Sequence, residues 1–155
     1  MRVVFDTNVY ISAFVIPGSL SDDGYYRARA GEVDLYTSVA ILTELASKLR
    51  GKVDWNEDRI RAALKSISRT AHAVKTSPHL AIVRDSTDNR ILECAEKVDA
   101  NLIATGDPHL LRLRRFGQAG VVRGVHLPSH PRPRIIKTGL TERKWRPGFM
   151  RMCVR

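Results

Sequence analysis

A chain of 155 residues with 43% hydrophobic and 27% charged side chains has the composition of one ordinary globular domain, which excludes a fibrous or disordered chain. Two cysteines, Cys94 and Cys153, are too few for a disulfide framework or a zinc site and suit a reducing cytoplasm; the first residues read as an apolar strand rather than a leader, and no apolar run approaches the ~20 residues that span a bilayer. The net charge of +10 is unevenly placed: residues 1–109 hold 14 Lys and Arg against 15 acids, residues 110–155 hold 12 against the single Glu142, and a basic segment of this kind implies contact with a polyanion, RNA or DNA.

The β-branched and aromatic run RVVFD at 2–6 predicts a buried strand, followed by a helical stretch, NVYISAFVI, that Pro17 and Gly18 break. Residues 19–31 read as loop and helix, and 33–37 as a second strand. Ser38 is placed to cap a helix to about Arg50, with Leu42, Leu45, Ala46 and Leu49 on one face and Gly51 as its stop. The next helix starts near Asn56, where Trp55 and Ile60 have the spacing of a hydrophobic staple. LAIVR at 80–84 predicts a third strand, residues 87–98 a helix capped by Asp85 or Ser86, and LIAT at 102–105 a fourth strand. Gly106, Asp107 and Pro108 then lead into a short helix, HLLRLRR, and a last strand is expected near 121–127. Strands alternating with helices imply βαβ units: an α/β fold, three layers, with a central and mostly parallel sheet. Three prolines in HLPSHPRPR close the compact domain at about residue 127 and open a basic extension over 128–155.

Several acids stand where local pattern would not choose them. Asp6 ends an apolar strand and Asp107 follows another after one Thr-Gly step; in open parallel sheets the crevice outside the carboxyl ends of the strands is where sites form. Asp88 lies on the inward stripe of its helix, three before Ile91 and four before Leu92, although Asp85, Ser86 and Thr87 already suffice for capping. Glu44 borders the apolar stripe of its own helix and alone would pass for a surface residue. Carboxylates gathered in one cleft repel one another, and a hard divalent cation such as Mg²⁺ or Mn²⁺ relieves that repulsion through oxygen ligands. Composition and spacing thus lead to an acidic metal site in an α/β domain.

Together VVFDTNVYISAF at 3–14, LYTSVAILTELASKL at 35–49, VRDSTDNRILECAEKVDANLIATGD at 83–107 and the HLLRL after it resemble the PIN-domain family, and within it the toxins of toxin–antitoxin systems. The resemblance covers about residues 1–127. It implies a nuclease that hydrolyses RNA with a metal-activated water. The catalytic, metal-binding positions would be Asp6, Glu44, Asp88 and Asp107, and Asn8 and Thr105 would support the acids by hydrogen bonds. It also implies a small antitoxin partner and a homodimer. Where the family often has another aspartate, this chain has His109. Asp85 is better read as the helix cap and Asn89 as a surface neighbour, while Trp145 and Phe149 among the arginines of the extension could stack on RNA bases or dock on the domain. Three other readings stand beside this one: a non-catalytic RNA-binding protein of the same fold, a nuclease directed at DNA, and a phosphotransferase with Asp6 as nucleophile. The last wants a second acid where Asn8 stands.

Overall fold

The computed structural model describes residues 1–124. The end of the strand expected to reach 127, the domain boundary there, the extension 128–155 and its Trp145 and Phe149 lie outside the described residues. The elements run β1 (Arg2–Phe5), α1 (Thr7–Val15), α2 (Leu20–Arg29), β2 (Asp34–Ser38), α3 (Val39–Gly51), α4 (Glu57–Thr70), β3 (His72–Val74), α5 (Ser86–Lys97), β4 (Leu102–Thr105), α6 (Pro108–Leu113), β5 (Arg115–Phe116) and β6 (Ala119–Arg123). They form one six-stranded sheet in the order β3-β2-β1-β4-β6-β5, parallel throughout except for the antiparallel β5–β6 pair.

The chain builds outward from β1 in two directions, first to β2 and β3, then back to β4 and β6 on the other side. This makes the gap between the carboxyl ends of β1 and β4 the topological switch point of the sheet. Val3, Val4 and Phe5 of β1 are wholly buried, and since neighbouring strand residues point to opposite faces, both faces of this strand are covered. The helices begin where sequence chemistry allows: Ser19, Ser38, Asn56 and Asp85 each accept a hydrogen bond from an amide of the first turn. Trp55 and Ile60 are both buried, as a staple requires.

The third strand differs from the expectation. It is His72–Val74, an exposed edge strand paired with β2, and LAIVR at 80–84 is a bent connection. The run is apolar enough for a strand, but its backbone finds other partners. Glu93 of α5, buried to 1%, accepts the amides of His79 (2.7 Å) and Leu80 (2.9 Å), and Arg90 closes on the same oxygen at 3.1 Å. Asn89 accepts the amides of Ile82 (2.9 Å) and Val83 (3.1 Å) and donates to the carbonyls of Val83 (2.8 Å) and Asp85 (3.0 Å). The amides of Leu80, Ile82 and Val83, which a ladder would have used, are taken by α5 instead, so the segment lies along the helix. Asn89 is therefore not a surface neighbour: it is 3% exposed and holds the connection that delivers Asp85.

Asn89→Ala removes four hydrogen bonds and leaves two inward amides unpartnered, with an expected loss of about 2–4 kcal/mol in chemical denaturation. Hydrogen exchange at Ile82 and Val83 should speed up well beyond the change seen in β1.

Candidate active site

The crevice at the switch point is built by strand ends and helix starts. Asp6 follows β1 and caps α1, Asp107 follows β4 and caps α6, and Asp88 sits in the first turn of α5, so each carboxylate lies at the electropositive end of a helix. Phe5 pairs with Ala104 in register, which puts Asp6 beside Thr105. The Thr105 hydroxyl donates to Asp6 Oδ2 at 2.6 Å and accepts the Asp107 amide at 2.9 Å, so one buried side chain ties the two acids together. Asp6 Oδ1 accepts from Thr7 Oγ1 (3.1 Å) and the Asn8 amide (3.2 Å), and only 1% of Asp6 is exposed. Asp107 Oδ1 accepts the amides of His109 (2.6 Å) and Leu110 (3.4 Å), with Pro108 supplying the first helical position, where its missing N–H costs nothing.

Glu44 reaches the same place from α3. Its Oε1 pairs with Lys48 Nζ at 2.6 Å and lies 3.4 Å from Thr7 Oγ1, and Lys48 also donates to that hydroxyl at 2.9 Å. Thr7 is thus shared between Asp6, Glu44 and Lys48. Asp88 is the exception: it has no hydrogen bond or ion pair among the described residues. Burial, and after it the charges of Asp107, Asp6, Asp85 and Glu44, push its carboxyl up to about 7. Asp85 goes the other way. The amide and hydroxyl of Thr87 hold it below the usual carboxylate range, helped by Lys48 and His109. The charges of Asp6, Glu44 and Asp107 thus all act on Asp88.

Of the supporting residues read from the sequence, Thr105 bonds both Asp6 and Asp107, whereas Asn8 contributes only its backbone amide and its side chain is exposed. Thr7 and Lys48 were missed. The only signals were a hydroxyl next to Asp6 and a lysine one helical turn after Glu44. His109 is exposed at the rim and acts on Asp85 through its charge.

Crowded carboxylates, with Asp88 unpartnered among the described residues, offer the hard oxygen donors that Mg²⁺ or Mn²⁺ takes. Among the described residues, no three acids or histidines are gathered closely enough to chelate an ion as they stand, and Glu44 is closed onto Lys48 rather than onto its fellow acids.

The family model of the PIN domain matches residues 2–109, from the first strand through Asp107. The chain belongs to the PIN-domain family, whose members are generally nucleases. It is 33% identical over 136 residues to a protein of Methanocaldococcus jannaschii described only as uncharacterized, a match covering 82% of this chain and 84% of that one. Its fold is similar to the solved structure of VapBC2 from Rickettsia felis bound to a DNA fragment from their promoter, with a TM-score of 0.57, 13% identity, and coverage of 81% of this chain and all of that one. The PIN-domain endonuclease Utp24 aligns at a TM-score of 0.48 and 18% identity over 80% of this chain and 85% of its own. No helix among the described residues is long and apolar enough to cross a membrane.

The crowding of Asp88 has a measurable consequence. Unfolded, it loses its proton near its ordinary 3.8, and folded, near 7, so between these values the fold binds more protons and loses stability as pH rises, levelling off above. In EDTA, Asp88→Asn should therefore be more stable than the parent at pH 8, by at most about 4 kcal/mol. The gap should close as the pH is lowered to 4. Thermal melts across that range check it, and a gap independent of pH would mean that Asp88 does not feel its neighbours.

Proposed function

We propose that the protein is a metal-dependent endoribonuclease, with Asp6, Glu44, Asp88 and Asp107 as the residues that hold Mg²⁺ or Mn²⁺ at the end of the β1–β4 pair. The observation that carries this reading is the crowding of Asp6, Glu44 and Asp107 on Asp88 at the switch point, with no partner for Asp88 among the described residues, a costly arrangement for a site that only holds the fold together. When bound, the cation polarises a phosphodiester and makes hydroxide available near neutral pH. The chain's own side chains set the geometry. Thr105 and Thr7 fix the Asp6 carboxylate, the first turn of α6 fixes Asp107, and Lys48 holds Glu44, which would have to leave it to become a ligand. The basic excess of residues 110–155 supports a polyanionic substrate, and RNA is what the sequence resemblance implies.

The reading extends to the toxin of a toxin–antitoxin pair, acting in the cytoplasm as a homodimer checked by a small antitoxin. The motif resemblance and the VapBC2-like fold support it. The alternative, a protein of the same fold that binds RNA without cutting it, is favoured by one observation, the closure of Glu44 on Lys48.

The deciding experiment incubates labelled RNA with the protein in Mg²⁺, Mn²⁺ or EDTA, beside Asp6→Asn. Cleavage should need metal and fall about a hundredfold or more in the variant. RNA that is bound but never cut would select the alternative, and cleavage surviving Asp6→Asn would sink the assignment of the site. Lys48→Met should tighten Mn²⁺ binding, measured by calorimetry without RNA, by about fivefold, since the ion no longer displaces a part-exposed ion pair of ~1 kcal/mol. Weaker binding in that variant would instead make Lys48 a support of the site.

A further inference from the structure

Next to the acids, on the side away from Glu44, a cavity of about 260 Å³ opens between the start of α1, the α1–α2 connection and the ends of β4 and β6. Its volume is near the lower end of small-ligand sites, ~300 Å³, which is room for one nucleotide. Asn8 and Thr105 line it, and both also flank Asp6, so the cavity and the acidic crevice share a wall. Its floor is apolar, from Val9 and the half-exposed Leu20, and Arg123 stands at the rim.

The placement of Arg123 follows from register. It pairs with Thr105 across the β4–β6 ladder, one strand over from the hydroxyl that holds Asp6. Yet its guanidinium has no hydrogen bond or ion pair among the described residues, and it is exposed. The segment that carries it is basic. Between Pro108 and Gly124 the chain carries Arg112, Arg114, Arg115 and Arg123 and no acid. On the opposite flank of the acids the nearest cation, Lys48, is already committed to Glu44. A polyanion entering the crevice therefore meets uncommitted positive charge on the β6 side.

The chemistry of this pocket matches a nucleotide part by part. An apolar floor takes a base face, the exposed Asn8 amide offers both a donor and an acceptor to a base edge, and a guanidinium at the rim takes phosphate oxygens two at a time. We propose that this cavity is a subsite for one nucleotide of single-stranded RNA next to the bond that is cut, with Arg123 on its phosphate and Asn8 at its base. This rests on the nuclease reading for its substrate but not for its test. It gives the strand a direction across the molecule, from the acids toward β6, and makes Arg123 a residue of binding rather than of chemistry.

The test is binding of a short fluorescent single-stranded RNA to the full chain in EDTA, where nothing is cut. Arg123→Ala should weaken binding about tenfold and Arg123→Lys should restore part of it. Arg123→Ala should also lower the slope of log affinity against log salt by ~0.7, the value for one single-strand phosphate. Asn8→Ala should change the preference among homopolymers while leaving that slope alone. In RNA carrying 4-thiouridine, crosslinks mapped by mass spectrometry should fall on the segments around Asn8 to Leu20 and Thr105 to Arg123. Unchanged affinity and slope in Arg123→Ala, with crosslinks elsewhere, would overturn the subsite and leave the cavity to another occupant, such as a protein partner. The two readings fail separately: metal-dependent cleavage with an indifferent Arg123 removes only the subsite, and Arg123-dependent binding with no cleavage in any metal removes only the nuclease.

Discussion

Like charges must be kept together in this fold, and much of the architecture around the switch point answers that demand. Asp6, Glu44, Asp85, Asp88 and Asp107 all contribute to one electrostatic environment. Three helices begin there, and their N-terminal amides receive Asp6, Asp85 and Asp107 directly. Thr7 and Thr105 add hydroxyl protons and Lys48 adds a full charge. Together these devices offset repulsion for four of the acids. Asp88 has only the start of α5 and no hydrogen bond or ion pair among the described residues, and its carboxyl is pushed up to about 7.

What could be read from the sequence follows the same division. Asp6 and Asp107 were visible because an acid at the end of an apolar strand has no role in the strand itself, and Asp88 because it interrupts a stripe of helical period. The capping residues Ser38, Asn56 and Asp85 were visible because capping is local chemistry. What was hidden depended on partners far along the chain. The apolar run at 80–84 has the composition of a strand, and nothing within it shows that Asn89 and Glu93 will take its amides. The true third strand, His72–Val74, is short and exposed and owes its existence to pairing with β2. Thr7 and Lys48 could be weighed only once α1 and α3 were seen side by side, and Asn8, the more conspicuous polar residue, lends the acids nothing but its backbone amide.

The crevice is also lopsided, and the sheet order is the reason. β1 stands between β2, which leads into α3, and β4, which leads into α6. The α3 side brings an acid already joined to its own cation, and the β4–β6 side brings Asp107 and, across the ladder from Thr105, Arg123 with no ion pair among the described residues. A negatively charged chain laid over the crevice therefore finds two unlike banks.

The connection between β3 and α5 has a consequence of another kind. What α5 grips there is mostly main chain: the amides of His79, Leu80, Ile82 and Val83 and the carbonyl of Val83, beside a bond between the His79 ring and Glu96 at 2.7 Å. Backbone groups are the same whatever side chain is attached. The path of this segment is thus encoded largely in Asn89 and Glu93, outside the segment itself, with Leu80 and Val83 packed on the core as its own contribution. Its exposed positions, Ala81, Ile82 and Arg84, can therefore change side chain at the edge of the crevice while the main chain keeps its course.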